Sequence, residues 1–170
     1  MRNLVIIFTL LAFCLTSGYC QVRHIKGMKG VEINLGATGQ APFFAAGYSQ
    51  YLDRIAYIKG SLGYERGTAS NSDFSTYFID AAMHYTFYSV NPNFFLNAVG
   101  GLSGMHEEIE KKEITIDQSG SSIGVLIGFE MELYIDERWV VLLNGNQRHY
   151  FSSNFGKNRW LVGAGIKRIL

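Results

Sequence analysis

The chain has 170 residues, 48% hydrophobic and 17% charged, with 15 basic against 14 acidic side chains, 19 glycines and 2 prolines. Its apolar content excludes a disordered chain, and the near-zero net charge gives no whole-chain electrostatic case for nucleic-acid binding. Beyond residues 4–15 every apolar run is interrupted well short of the ~20 apolar residues a spanning helix needs, which excludes a helical membrane protein and, with many Gly and aromatic residues, points to β-structure.

At the amino terminus Arg2 and Asn3 precede the apolar stretch LVIIFTLLAFCL, which gives way to Thr16, Ser17, Gly18, Tyr19 and Cys20. A basic start, an apolar middle and a small-residue exit predict a secretory signal peptide over residues 1–20, cleaved to leave Gln21 first. The alternative is a lipoprotein acylated on Cys20, but Tyr19 stands where a small residue should precede the lipidated Cys. Cleavage removes both Cys14 and Cys20, so no thiol or disulfide chemistry remains. Residues 21–29 then form a short periplasmic tail whose Arg23, Lys26 and Lys29 meet a partner or an anionic headgroup, a cluster too sparse for a nucleic-acid footprint.

Over residues 30–170 the dominant period is 2. Alternation predicts eight strands: 31–38, 43–52, 55–65, 76–88, 94–105, 123–135, 138–151 and 158–170. The sixth is clearest, with Ile123, Val125, Ile127, Phe129, Met131, Leu133 and Ile135 on one face and Gly124, Leu126, Gly128, Glu130, Glu132 and Tyr134 on the other. In the fourth, Tyr77, Ile79, Ala81, Met83, Tyr85 and Phe87 oppose Phe78, Asp80, Ala82, His84, Thr86 and Tyr88. Tight connections at 53–54, 90–93 and 136–137 alternate with longer ones at 39–42, 66–75, 106–119 and 152–157. This is the pattern of an eight-stranded antiparallel up-and-down β-barrel of outer-membrane type, with short periplasmic turns and longer outer loops.

Period 2 alone does not say which face looks inward, so a soluble lipocalin-like barrel is the competing architecture. Two observations favour lipid on the apolar side. The opposite face carries Glu32, Asn34, Lys59, Ser61, Asp80, His84, Glu130, Glu132, Asn144, Asn146, Arg148 and Lys167, a set suited to a narrow polar lumen whose charges neutralise one another. Tyr48, Tyr51, Tyr57, Tyr64, Tyr77, Tyr85, Tyr88, Trp139, Tyr150 and Trp160 concentrate near strand ends, as aromatic girdles do. The last strand turns Trp160, Val162, Ala164, Ile166, Arg168 and Leu170 outward, which requires Arg168 to lie at the headgroup level.

GMKGVEINLG at 27–36, ELYIDERWVVLLNGNQRHYF at 132–151 and VGAGIKRIL at 162–170 resemble the TraO family of conjugal transfer proteins of Bacteroides-type conjugative transposons. The matching residues are Gly27, Met28, Lys29, Gly30, Val31 and Glu32 at the start, Tyr134, Glu137, Arg138, Leu142 and Leu143 in the middle, and Gly163, Gly165, Ile166 and Lys167 at the end. The resemblance implies an outer-membrane, structural or accessory part of a mating apparatus, with other transfer proteins as partners and no catalytic residues. The alternative is a general small outer-membrane barrel serving adhesion, envelope stability or lipid modification.

Asp80 and His84 share a face but stand about 13 Å apart at the usual strand rise, while His84 is placed to meet Glu130 or Glu132 across a small lumen. Such a pair is an acid-base device elsewhere; here mutual satisfaction of buried charges is the simpler account. The acidic segment from His106, with Glu107, Glu108, Glu110, Glu113 and Asp117, lacks the Gly-centred loop of a calcium hand and reads as a solvated outer loop. His24, His106 and His149 have no zinc spacing. The expectation is therefore no enzyme activity, cofactor or metal, membrane lipid around the wall, and no direct contact with nucleic acid, since eight strands enclose room only for side chains.

Overall fold

A computed structural model describes residues 24–69, 72–111, 118–152 and 156–170. The signal peptide, its cleavage site and residues 21–23 lie outside the described residues. The rest is a single closed barrel of eight antiparallel strands in sequence order: β1 (Lys29–Thr38), β2 (Pro42–Tyr51), β3 (Ala56–Ala69), β4 (Ser72–Val90), β5 (Phe94–Lys111), β6 (Gln118–Tyr134), β7 (Trp139–Tyr150) and β8 (Asn158–Ile169). β1 closes on β8 in a register that sets Glu32 opposite Lys167 and Ala37 opposite Val162.

Both described chain ends and three short turns lie at one rim, called here the near rim. Two of those turns use the same device. Asp53 Oδ1 accepts from the amides of Ile55 and Ala56 at 2.8 and 2.9 Å, and Asp136 Oδ1 accepts from Arg138 and Trp139 at 2.6 and 2.8 Å. An aspartate side chain satisfies backbone donors that the ladder cannot reach, which is why this residue type closes a tight hairpin. In the third turn Asn91 takes the left-handed conformation, φ 63°, which Asn tolerates better than most residues.

At the far rim the strands outrun the expectation. The segments read as long loops at 66–75 and 106–119 are largely continuations of the β3–β4 and β5–β6 ladders, paired out to Ala69↔Ser72 and Ile109↔Gln118. Polar, charged residues in these segments hid the pairing because they retain the alternation without an apolar face.

The wall is inverted relative to a soluble domain. Leu62, Ile127, Phe129 and Val162 stand 59–67% exposed, whereas Glu132 and Lys167 inside have none of their surface exposed. The β6 faces are as expected, and Leu126, Glu130, Glu132 and Tyr134 are buried. β4 departs at one place: a bulge between Thr86 and Tyr88 leaves Phe87 as an extra residue. Beyond it the parity flips, so Tyr88, expected in the lumen, faces outward beside Phe87.

Candidate functional site: the charged interior

Apart from Tyr88, the residues assigned to the lumen by alternation point inward, and the barrel brings the charged ones into three layers. Nearest the near rim, Glu132 on β6 receives the Tyr51 hydroxyl at 3.0 Å, the Lys167 ammonium and Nε2 of His24 at 2.8 Å. In the same layer, Glu130 receives the Tyr57 hydroxyl at 2.5 Å and Lys59 at 2.7 Å. Lys59 also reaches Glu32 at 2.5 Å, and Lys167 lies 3.7 Å from Glu32 and 3.8 Å from Glu130. Three carboxylates from β1 and β6 therefore share two lysines from β3 and β8, which is the compensation that buried charges require.

His84 meets Glu130 and not Asp80, with Nδ1 at 3.5 Å from Oε1 and its ring stacked on Tyr57 at 4.5 Å. Asp80 belongs to the middle layer. It accepts from Arg148 at 2.6 Å and Ser103 at 2.6 Å, and Ser103 in turn meets the Tyr150 hydroxyl at 3.0 Å. The Arg148 guanidinium lies 3.8 Å above the centre of the Phe78 ring. Phe78 fits only because Gly63 faces it: a Cβ at that glycine would fall 2.0 Å from the ring. A cavity of about 40 Å³ with mixed polar and apolar lining remains here, touched by Asn146, Arg148 and His84.

The third layer was not foreseen. Arg159 reaches Glu107, Glu65 at 3.5 Å and Thr76 at 3.3 Å, and the Thr38 hydroxyl donates to Glu65 at 2.5 Å. Glu107, read as part of a solvated loop, is thus buried inside the barrel, because β5 runs on past it and its parity faces the lumen. Side chains of residues 109–118 lie outside the described set, so the rest of that acidic segment is not placed.

Two apolar clusters pack among the charged layers. Near the termini Tyr51, Tyr57, Phe95, Tyr134, Val140, Leu142 and Ile169 pack together; towards the far rim Phe43, Phe78, Met105, Tyr150 and Leu161 do so. Tyr51, Tyr57 and Tyr150, expected in the outer girdles, belong to these interior clusters instead. The Tyr51 and Tyr57 hydroxyls donate to the lumen carboxylates Glu132 and Glu130, while that of Tyr150 meets Ser103. Tyr48, Tyr77, Tyr85, Tyr88, Trp139 and Trp160 are on the outer surface. Arg168 lies at the near rim with its guanidinium 5.7 Å from the centre of the Trp139 ring.

Residues 24–28, expected in a short tail, are docked on the barrel. Gly27 N donates to Tyr51 O and Tyr51 N to Met28 O, both at 2.8 Å, which extends the β1–β2 ladder. This holds His24 inside the barrel mouth, buried and stacked on Phe95 with ring centroids 3.8 Å apart. Lys26 and Lys29 remain exposed. Among the described residues no group of three or more His, Cys, Asp or Glu side chains is placed to hold a metal ion.

No protein-family model matches the chain, and no curated protein matches it. Solved structures do. The N-terminal β-barrel domain of Pseudomonas aeruginosa OprF superposes with a TM-score of 0.62 at 14% identity, covering 85% of this chain and 98% of that one. Neisserial surface protein A gives 0.64 at 15% identity, covering 83% and 95%. Ail, the attachment invasion locus protein of Yersinia pestis, gives 0.56 at 14% identity, covering 84% and 99%. At such identities the likeness concerns architecture, and the chain has the fold of the small eight-stranded outer-membrane barrels.

Proposed function

We propose that this chain is a small outer-membrane barrel of scaffold type, held in lipid by its wall and closed to solutes. The observation that carries this reading is the inversion of its two faces: apolar side chains such as Ile33 and Val162 stand more than half exposed while Glu132 and Lys167 are sealed within. A lipocalin-like barrel in water would place its apolar side chains inside, so the arrangement favours lipid. The near rim, with its short turns and both described ends, faces the periplasm. The filled interior supports an anchoring or assembling role and not a conduit, since side chains meet across the lumen in all three charged layers.

Cell fractionation and planar-bilayer recording test the proposal. The mature protein is expected in the outer-membrane fraction, heat-modifiable on gels, with little or no steady conductance. Recovery as a soluble periplasmic species, or large stable channels from the purified protein, overturns it.

A second, finer reading is a TraO-like accessory part of a conjugation apparatus. It is favoured by where the resembling residues fall. Glu32, Tyr134, Leu142 and Lys167 come from three separate segments and gather in the near-rim part of the interior. On this reading the exposed near-rim lysines Lys26 and Lys29, the turns or the outer loops engage other transfer proteins. Deleting the gene is expected to reduce transfer of the element strongly without affecting growth; unchanged transfer removes the conjugative reading and leaves the general one.

A further inference from the structure

The outer wall carries a cluster that the interior network does not use. His106 on β5 and Ser121 on β6 are register partners, both turned outward, and the imidazole Nδ1 lies 2.9 Å from the Ser121 hydroxyl. Glu108, two residues along the same face, places Oε1 3.7 Å from Nε2 at the other edge of the ring. Hydroxyl, imidazole and carboxylate are thus in series, the arrangement by which a base activates a serine and a carboxylate orients the base. Alternation along a strand makes this possible with two residues of one ladder and one of the next.

A shallow, open groove of about 580 Å³ descends the wall from this cluster. Gly104 forms part of its floor, Leu62, Ile79 and Ile123 line its sides, and His106 and Ser121 border it. Gly104 keeps the floor low, because even a Cβ there would come within 3.2 Å of Ile79 Cγ2. A shallow apolar depression in a lipid-facing wall suits a hydrocarbon chain, and a chain lying along it brings its polar end towards the hydroxyl.

We propose that Ser121, His106 and Glu108 form a hydrolytic site for fatty-acyl esters of the surrounding membrane. The proposal rests on the reading that the wall faces lipid, and it sets aside the expectation of no catalytic residues. Ser121 Oγ attacks the ester carbonyl and its proton passes to His106. The carbonyl-to-alkoxy C–O bond then breaks and His106 returns that proton to the departing alkoxide, releasing the alcohol and leaving acyl-Ser121. Water, deprotonated by His106, attacks the acyl-serine, and collapse releases the fatty acid as Ser121 regains its proton. The balance is ester plus water giving acid plus alcohol, with no redox change. Ser119, the register partner of Glu108, offers a second hydroxyl to the oxyanion. A phospholipid and an acylated glycolipid supply the same ester, so the test distinguishes them.

The full mature protein is inserted into vesicles of phosphatidylethanolamine and phosphatidylglycerol, with and without lipopolysaccharide, and insertion is checked by heat-modifiable migration. Free fatty acid is followed by mass spectrometry, and Ser121 is probed with a lipid-like fluorophosphonate. Release is expected in at least one vesicle type, with a covalent adduct on Ser121. Ser121→Ala and His106→Ala should each lower release by about 100-fold or more, and Gly104→Leu, which raises the groove floor, should lower it while the adduct at Ser121 still forms. An inserted wild-type protein that gives neither fatty acid nor adduct overturns the hydrolytic site, as does unchanged release from Ser121→Ala. A protein that fails to insert overturns the lipid-facing reading beneath it.

Discussion

Nε2 of His24 lies 2.8 Å from Oε2 of Glu132, a residue 108 positions further along the chain. This contact ties the segment before the first strand to the near-rim end of the sixth, and the His24–Phe95 stack closes the barrel mouth. Loss of a stack costs about 0.5–1.5 kcal/mol and loss of a hydrogen bond to a charged group about 1.5–3 kcal/mol. His24→Ala is therefore expected to lower folding stability by about 2 kcal/mol or more on that basis, measured by denaturant titration in bilayers. Protease should also cut at Lys26 faster in the variant, because the contact that holds residue 24 in the mouth is gone.

The outward residues of β6 should be intolerant of charge. Arg at Ile127 or Phe129, placed near the middle of the wall, is expected to cost about 2–4 kcal/mol in a bilayer. The same folding titration in vesicles checks this, and a cost near zero at both positions is the result that contradicts a lipid-facing wall.

The Asp80–Arg148 pair can be separated from the rest of the interior by a double-mutant cycle. Arg148→Met leaves Asp80 buried with only serine donors, which is expected to cost about 3–5 kcal/mol, whereas adding Asp80→Asn should recover a large part of that loss. Full additivity of the two single changes in equilibrium unfolding would show that the pair is not coupled.

The bulge in β4 predicts a labelling pattern that simple alternation does not. Cysteines substituted at Phe87 and at Tyr88 should both react with a membrane-permeant thiol reagent, because both side chains stand about half exposed on the outer surface. A cysteine at Thr86, whose hydroxyl donates to Asn97 Oδ1 at 2.6 Å inside the barrel, should be protected. Strict alternation predicts protection at Tyr88 as well.

The period-2 pattern was strong enough to read all eight strands and most of the inward polar set from single positions such as Glu130 and Lys167. It also contained more than was drawn from it. Tyr57 shares parity with Lys59, Tyr150 with Arg148, and Arg159 with Lys167, so their inward direction was legible, but aromatics near strand ends suggested girdles instead. Glu107 was obscured by its charged neighbours. Other features have no local signature. The bulge at Phe87 follows from pairing with β5, and the choice of His84 for Glu130 depends on barrel diameter and stagger. His24 precedes the first strand, where no alternation exists to place it. The Ser121–His106 contact likewise exists only once β5 and β6 are in register.

The closing seam carries an implication for how the molecule is put together. Lys167 arrives on the last strand, yet it faces carboxylates of the first and sixth strands, Glu32 at 3.7 Å, Glu130 at 3.8 Å and Glu132 in direct contact. A sheet lacking β8 would leave those three acids with Lys59 as their one lysine, a state that costs several kcal/mol to bury. Charge balance and ring closure are therefore completed by the same event. An unzipped barrel cannot dehydrate its interior cheaply, so the network favours insertion of the finished cylinder over accumulation of open, partly threaded sheets.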